Sequence, residues 1–490
     1  MNYLLGIDFG GGASKATLLS EKGEVAAESM VEYPTYYPKN GWAEQNPDDW
    51  YGAVCENVRN VLQGSGIPTE RIAALALDAA THTAVLADES FNVLRPAIYW
   101  TDSRSVEQVR ALKDNELILR QTLHQPDTIW TLPQLMWIRD NEPEIWGKTR
   151  KIMFAKDYVR HLLTGDYVTD YIEAEGSMLF DYNQMQWSEE LCGIVGIDRT
   201  ILPKIVKPTD FVGKITKKAA AETGLCEGMP VICGTTDTVM EVFASGSVKS
   251  GDMTVKLATA GRICVVTQKA YPNKHLINYS HTIDGLWYPG TATKSCAASY
   301  RWYRDTFGES FKELDAGAEK IAAGADGLLF HPYLNGELTP YADPMLCGSF
   351  TGIRAGHTKA HFSRAALEGV ALSLLDCKTA LEQIGIPHDD KASIIGGGGK
   401  SPLWRQITAD VLGIELVQKK HSDSSFGSAM LAGVASGVFE SFEAAVGICN
   451  QTVFKTLPDM NKHNKYLEIF KRYKKVHDAL APLYDGEWQI

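Results

Sequence analysis

No stretch of this chain reaches the ~18 consecutive apolar residues that a membrane-spanning helix needs. Its opening, MNYLLGIDFG, has no basic region ahead of the apolar residues and meets a charge at Asp8. Neither a membrane span nor a signal peptide is expected. Positive charge is also short: 48 Lys and Arg stand against 60 Asp and Glu, a net charge of −12, which argues against a nucleic-acid surface. The nine cysteines are odd in number and scattered, with no CxxC pair and no Cys/His metal spacing. A disulfide framework is therefore not expected, and a reducing cytoplasm fits best. HExxH and GxSxG are both missing, so a zinc hydrolase and a serine hydrolase have no support. No low-complexity linker or charge block divides the chain, although at 490 residues it is long enough for two or more domains.

What is present begins with LLGIDFGGGASKATLL, residues 4–19. An apolar run ends in Asp8, turns through Gly10, Gly11 and Gly12, passes Lys15 and becomes apolar again. We read strands at 3–9, 14–19 and near 23–31, and helices at about 47–63 and 104–121. Residues 72–100 read as strand, loop, hairpin and strand, with a turn at 91–93. Residues 156–165 read as a short helix closed by Gly165. Glycines let a loop wrap an anion closely, and Lys15 adds positive charge. A carboxylate beside a phosphate is repulsive unless a cation lies between them, so Asp8 points to Mg²⁺ with a nucleotide phosphate. A tight hairpin with an exposed aspartate fits the same residues.

DMTVKLATAGRICVV, residues 252–266, echoes this unit half a chain later. An apolar strand again enters a small-residue turn, Ala258 to Gly261, and leaves as a strand. The echo suggests duplicated domains, with a boundary near 245. In GTTDTVMEVFASG, Asp237 sits where a strand yields to a helix. It reads either as an N-cap or as a general base at the carboxyl end of a strand. IIGGGGKSPLWRQITADVLG places four glycines between a strand and a helix capped by Ser401, with Pro402 at N1. The Walker A spacing fails, yet the glycines imply close approach to the backbone, by a nucleotide or by packing. Thr81-His82, the Asp102/Arg104 pair, Trp130 and Trp302 complete the polar and aromatic candidates. For each the bland alternatives are a satisfied histidine, an exposed ion pair and buried aromatic packing.

Together IDFGGGASK, WAEQNPDDWY, PAIYWTDSR, KDYVRHLLTGDY, GTTDT, FHPYLNGELTP and IGGGGKSPLWRQITADVLG resemble the FGGY carbohydrate kinases, in order, from residue 4 to about 435. The xylulokinase-like branch is the most similar. The resemblance implies two RNase H-like α/β domains of the actin/hexokinase/Hsp70 superfamily flanking a cleft. Residues 1–245 would be mainly sugar-binding and 246–490 mainly ATP-binding, with the last helix free to pack back on the first domain. It implies ATP and Mg²⁺, a small sugar as acceptor (a ketopentose such as D-xylulose first), and Asp237 as catalytic base. Another ketose, a polyol, a sugar acid such as gluconate, or a non-catalytic sugar sensor are the alternatives. Asp8 and Asp237 would lie at the metal. Asp8, Gly11, Gly12, Lys15, Thr259, Gly261, Gly397, Gly398 and Lys400 would face the nucleotide. Thr81, His82, Asp102, Trp130, Asp237 and Thr238 would face the sugar. A cytoplasmic enzyme without nucleic-acid or membrane partners is expected, and a homodimer is left open. The sequence departs from the family pattern at Gly11, Gly12, Ala258 and Ala260, where hydroxyl or glycine residues are usual. It departs also at Leu338, Thr238 and Thr81.

Overall fold

The computed structural model describes residues 1–484. The first half is built on a seven-stranded sheet. Its strands are β1 (Tyr3–Phe9), β2 (Ala13–Ser20), β3 (Val25–Glu32), β4 (Ile72–Ala79), β5 (Phe211–Lys214), β6 (Pro230–Ile232) and the short β7 (Thr235–Thr236). The spatial order is β3-β2-β1-β4-β6-β5, with β7 paired to β4. The second half repeats the plan with β8 (Met253–Leu257), β9 (Gly261–Val265), β10 (Gly290–Thr293), β11 (Lys391–Ile395), β12 (Glu415–Lys419) and β13 (Thr452–Thr456). Its order is β10-β9-β8-β11-β12-β13. Taken in those orders, both sheets read antiparallel, antiparallel, parallel, parallel, antiparallel. The weak echo in the sequence is thus a full topological repeat.

The alternation along a strand decides what faces where. In β1, Leu5, Ile7 and Phe9 enter the core under helix α1 (Pro47–Ser65), with Trp50, Val54 and Val58. Leu4 goes to the opposite face, and so do Gly6 and Asp8 by the same period. In β4, Leu75, Leu77 and Ala79 join the α1 side, while Ala74, Ala76 and, two on, Asp78 lie opposite. That opposite face is covered by helix α2 (Ser424–Ala435), which belongs to the second half in sequence. Gly6 is required here, because a methyl group on it would overlap the Ser425 carbonyl. Thr17 Oγ1 and Ser425 Oγ, 2.8 Å apart, tie the same contact. In the second sheet Met253, Val255, Leu257, Ile263 and Val265 pack under the long helix Lys359–Ile384 and the helix Pro402–Leu412. Cys264 and Val266 instead join the cluster of the first half.

The segments read from sequence differ in four places. The expected helix 104–121 is two, Val106–Leu112 and Glu116–Thr122, because Asn115 caps a new start by accepting from Leu117 N. The strand Ala84–Ala87 pairs along its length with Lys151–Phe154, and the expected hairpin is a short one: around the 91–93 turn, with Phe91 at φ 63°, Ala87 bridges Val93 and Leu94 N–H donates to Leu86 O at 2.9 Å. The last helix, Met460–Leu480, stays on the second half: Tyr466 and Tyr473 lie in its core, and Lys474 pairs with Asp376. The segment that crosses to the first sheet is α2. Trp302 is exposed and stacks on Phe330 in the second half, 6.4 Å between centroids. No helix among the described residues is long and apolar enough to cross a membrane.

Candidate active site

Asp237 is the first residue of helix Asp237–Ala244, and Thr236 holds the N-cap position without a side-chain bond. The N-cap reading is therefore corrected. The carboxylate is aimed by its own turn: Thr238 N–H donates to Oδ1 at 2.8 Å and Thr81 Oγ1 donates to it at 3.0 Å. The Thr238 hydroxyl stands 3.4 Å away. One turn along, Glu241 is bound by Lys256 of β8.

Asp8 and Asp78 are parallel-strand partners on the face under α2. Asp78 is buried and Asp8 half-buried, and each leaves a buried Oδ1 without a hydrogen-bond partner, while Ser428 Oγ donates to Asp78 Oδ2 at 2.5 Å. Burial, then the like charges of Asp237 and Glu241, push the Asp8 carboxyl up to about 7, against a hydrogen bond with Asp78 that lowers it. Burial and Asp8 push Asp78 well above the ordinary range. Four acids thus converge, three of them with no cation of their own. Their carboxylate oxygens are hard donors of the kind a divalent cation takes, but among the described residues only Glu28, His421 and Asp423 bring three ligand atoms within 4.8 Å of one another, so Asp8, Asp78 and Asp237 would need water to complete a site.

Beside them lies a second cluster. His82 is buried at φ 55°, its N–H bound to Glu173 and its carbonyl accepting from Thr131 Oγ1 at 2.5 Å. Trp130 lies 4.9 Å from the His82 ring and 4.4 Å from the ring of His124, on which it stacks. Its indole N–H donates to Gln125 O at 2.9 Å, which fixes the ring plane. Burial lowers both histidines to about 3, so both rings are neutral. Both ring nitrogens of His124 lack partners. Tyr279, 5.1 Å from His124, closes the cluster from the second half.

The structure brings together Asp8, Asp237, Thr81, Thr238, His82 and Trp130. Lys15 goes elsewhere. Although it is the cross-strand partner of Asp8, its ammonium is held by Glu28 at 3.0 Å and Asp423 at 3.1 Å. Asp102 is buried and fully engaged, accepting from Ala43 N at 2.6 Å and from Arg104 Nη2 at 2.7 Å. That pair is 1% exposed on each side, not the solvent pair that the sequence suggested, and it braces the loop beside Trp42.

The glycines divide by cause. None of Gly10, Gly11 and Gly12 takes a positive φ, and a methyl group on Gly11 or Gly12 would meet nothing closer than 3.6 Å. Nothing inside the protein demands glycine there; the turn is open. Gly261 is explained by packing, since a methyl group would lie 3.1 Å from Cys296 Cβ. Gly398 is likewise closed by Trp404 at 2.9 Å and Leu257 at 3.0 Å, whereas Gly397 has nothing within 4 Å and Lys400 is exposed. Gly396, at φ 88°, abuts the Leu257 carbonyl and Ala258 N, which sets this loop against the Ala258–Gly261 turn. The Thr259 hydroxyl is on the surface of that turn, and its carbonyl accepts from Cys296 N at 3.0 Å.

Sequence reasoning missed Asp78, His124, Glu173, Glu241, Lys256, Arg262 and Tyr279. One signal was available: AALALDAA ends an apolar strand in an aspartate just as LLGIDFG does.

Models of the N-terminal and C-terminal domains of the FGGY family of carbohydrate kinases match residues 3–244 and 230–436. The chain belongs to that family. It is 33% identical to the xylulose kinase of Bacillus subtilis over 484 residues, 97% of each chain. It is 30% identical to the gluconokinase of the same organism over 501 residues, covering 99% of this chain and 97% of the other. Its fold matches the crystal structure of xylulose kinase from Rhodospirillum rubrum with a TM-score of 0.91 at 28% identity, over 99% of this chain and 100% of that one. The protein is a carbohydrate kinase with the two-domain FGGY fold.

Proposed function

We propose that the enzyme transfers the γ-phosphate of ATP to a hydroxyl of a small sugar, with Asp237 as general base. The observation that carries this is the convergence of Asp237 and Asp8 beside the cluster of neutral His82 and His124 with Trp130 and Tyr279. Asp237 accepts the hydroxyl proton while the sugar oxygen bonds to the γ-phosphorus. The bond to the ADP oxygen breaks in line, and the proton later leaves for solvent. Phosphoryl transfer depends mainly on positioning and electrostatics, and general-base help is worth ~10²–10⁴ in rate. Thr81 and the Thr238 N–H hold the carboxylate of Asp237 in one orientation. Neutral His82 and His124 offer hydrogen bonds to hydroxyls without adding charge, and Trp130 covers an apolar C–H face.

Asp8, Asp78 and Asp237 would hold Mg²⁺, which when bound neutralises phosphate charge. The open turn at Gly11 and Gly12 and the hydroxyl of Thr259 would take the phosphates; Gly397 and Lys400 would line the nucleotide. Gly261 and Gly398 shape those loops by letting them pack. Nine free thiols suit a reducing cytoplasm.

D-xylulose is the first acceptor to test, because the relatives named above include a xylulose kinase. A sugar acid is the second, favoured by the arginine considered below. ADP release with D-xylulose, L-xylulose, ribuloses, glycerol and gluconate tests the reading. One acceptor should raise ADP release well above the slow hydrolysis seen with ATP alone. Binding of a sugar with no ADP release would make the protein a sensor.

A further inference from the structure

Arg262 directly follows the second turn and is the cross-strand partner of Lys256. Both project from the face of the second sheet that looks at the first half. Cys264, two residues on, belongs to the cluster containing Trp130, Tyr171 and Val239, whereas Ile263 and Val265 belong to the opposite core. The two cations fare differently. Lys256 has Glu241. Arg262 has no carboxylate within ion-pair distance among the described residues, and its Nε and Nη2 are buried without a hydrogen-bond partner. Around it lie the Tyr288 ring, 5.4 Å from the guanidinium carbon, the thiol of Cys264, Tyr279 and the bare backbone of Gly290. A methyl group on Gly290 would stand 3.3 Å from Nε. Tyr288 in turn stacks on Tyr279, 5.9 Å between centroids, which joins the guanidinium to the cluster of His124, Trp130 and Tyr279. Glu241 is the acid whose charge acts on Arg262, but its carboxylate is bound by Lys256, and Glu175 is committed to Ser280, accepting from its N–H at 2.8 Å and its hydroxyl at 2.6 Å.

Two buried guanidinium nitrogens without hydrogen-bond partners are unfavourable on their own, and the fork of donors matches a carboxylate in particular. We propose that Arg262 binds the carboxylate of a sugar acid, so that the acceptor is of the aldonate class. This rests on reading the cleft as the sugar site. A neutral ketose presents only carbonyl and hydroxyl oxygens and gives those two donors no charged acceptor.

The test compares D-gluconate with D-xylulose in the wild type, Arg262→Met and Arg262→Lys, by ADP release, calorimetric binding and thermal unfolding. For D-gluconate, Arg262→Met should lower kcat/KM and affinity ~100-fold and Arg262→Lys ~10-fold. For D-xylulose, which has no carboxylate, the loss should be at least about tenfold smaller than for D-gluconate. Without ligand, Arg262→Met should unfold no lower than the wild type, because an unpaired buried charge has been removed; an arginine holding the fold together would lower Tm. Equal losses on both acceptors, or D-xylulose turnover with no gluconate binding, overturn the role of Arg262 and leave the kinase reading intact. Arginine-dependent gluconate binding with no ADP release from any acceptor supports the carboxylate site and removes catalysis instead.

Discussion

The hairpin β1–β2 and the hairpin β8–β9 share strand sense, turn position and a parallel third strand, yet they carry opposite charges into one cleft. At matching places the first offers Asp8, with Asp78 on its parallel neighbour, and the second offers Lys256, with Arg262 across the strand. A duplicated backbone fixes where side chains point, while the residues at those points divide the work. The acidic hairpin suits a metal. The basic one suits anions and anchors Glu241 beside Asp237. The turns differ in the same spirit: glycine is free in the first, and in the second Gly261 is required by Cys296.

The sharpest way to break the comparison is to neutralise one side. Asp8→Asn should lower kcat by about 10²–10³, the range for losing one preorganised electrostatic contact. Unchanged ADP release would remove the acidic hairpin from the chemistry. The turns can be set against each other next. Gly261→Ala should destabilise by about 1–3 kcal/mol through overpacking. Gly11→Ala should shift stability by less than about 0.5 kcal/mol and raise KM for ATP. Urea unfolding and initial rates read both, and a stability loss in Gly11→Ala larger than in Gly261→Ala would reverse the assignment.

The acid pair also predicts a pH dependence. Asp8 keeps its proton to about 7 when folded, against 3.8 for an ordinary aspartate, chiefly through burial. The folded state therefore holds protons that the unfolded chain has released. This stabilisation is complete below about 3.8 and is lost as pH rises through about 7. The metal-free protein should lose Tm across that window, less so in Asp8→Asn, and added Mg²⁺ should raise Tm more at pH 7.5 than at pH 5. A Tm gain from Mg²⁺ independent of pH would count against Asp8 as a ligand. The smallest effect belongs to Lys15→Met. With its ammonium held by Glu28 and Asp423 and partly exposed, turnover should stay within about threefold and stability within about 1 kcal/mol; a large loss of ATP affinity would return Lys15 to the phosphate site.

Local pattern carried much of this. Strand period and glycine turns marked both hairpins, and the strand-to-helix switch marked the place of Asp237. What local pattern could not show was partnership across the chain. Lys15 reads as a free cation until Asp423 arrives from α2, about 400 residues later. Asp102 and Arg104 read as a surface pair until Ala43 and Glu44 bury them. Arg262 reads as an ordinary strand residue, because the absence of a partner is visible only when every neighbour is in place. The four-glycine loop shows the same limit: two of its glycines face the Leu257 strand and Gly397 faces outward.

The central claim is that Asp237 accepts the acceptor's proton. Steady-state ADP release by Asp237→Asn, with sugar binding measured on the same preparation, tests it most directly. The account predicts an ordered protein that still binds sugar and turns over ~10²–10⁴ more slowly. Turnover close to that of the wild type in a folded variant would contradict it.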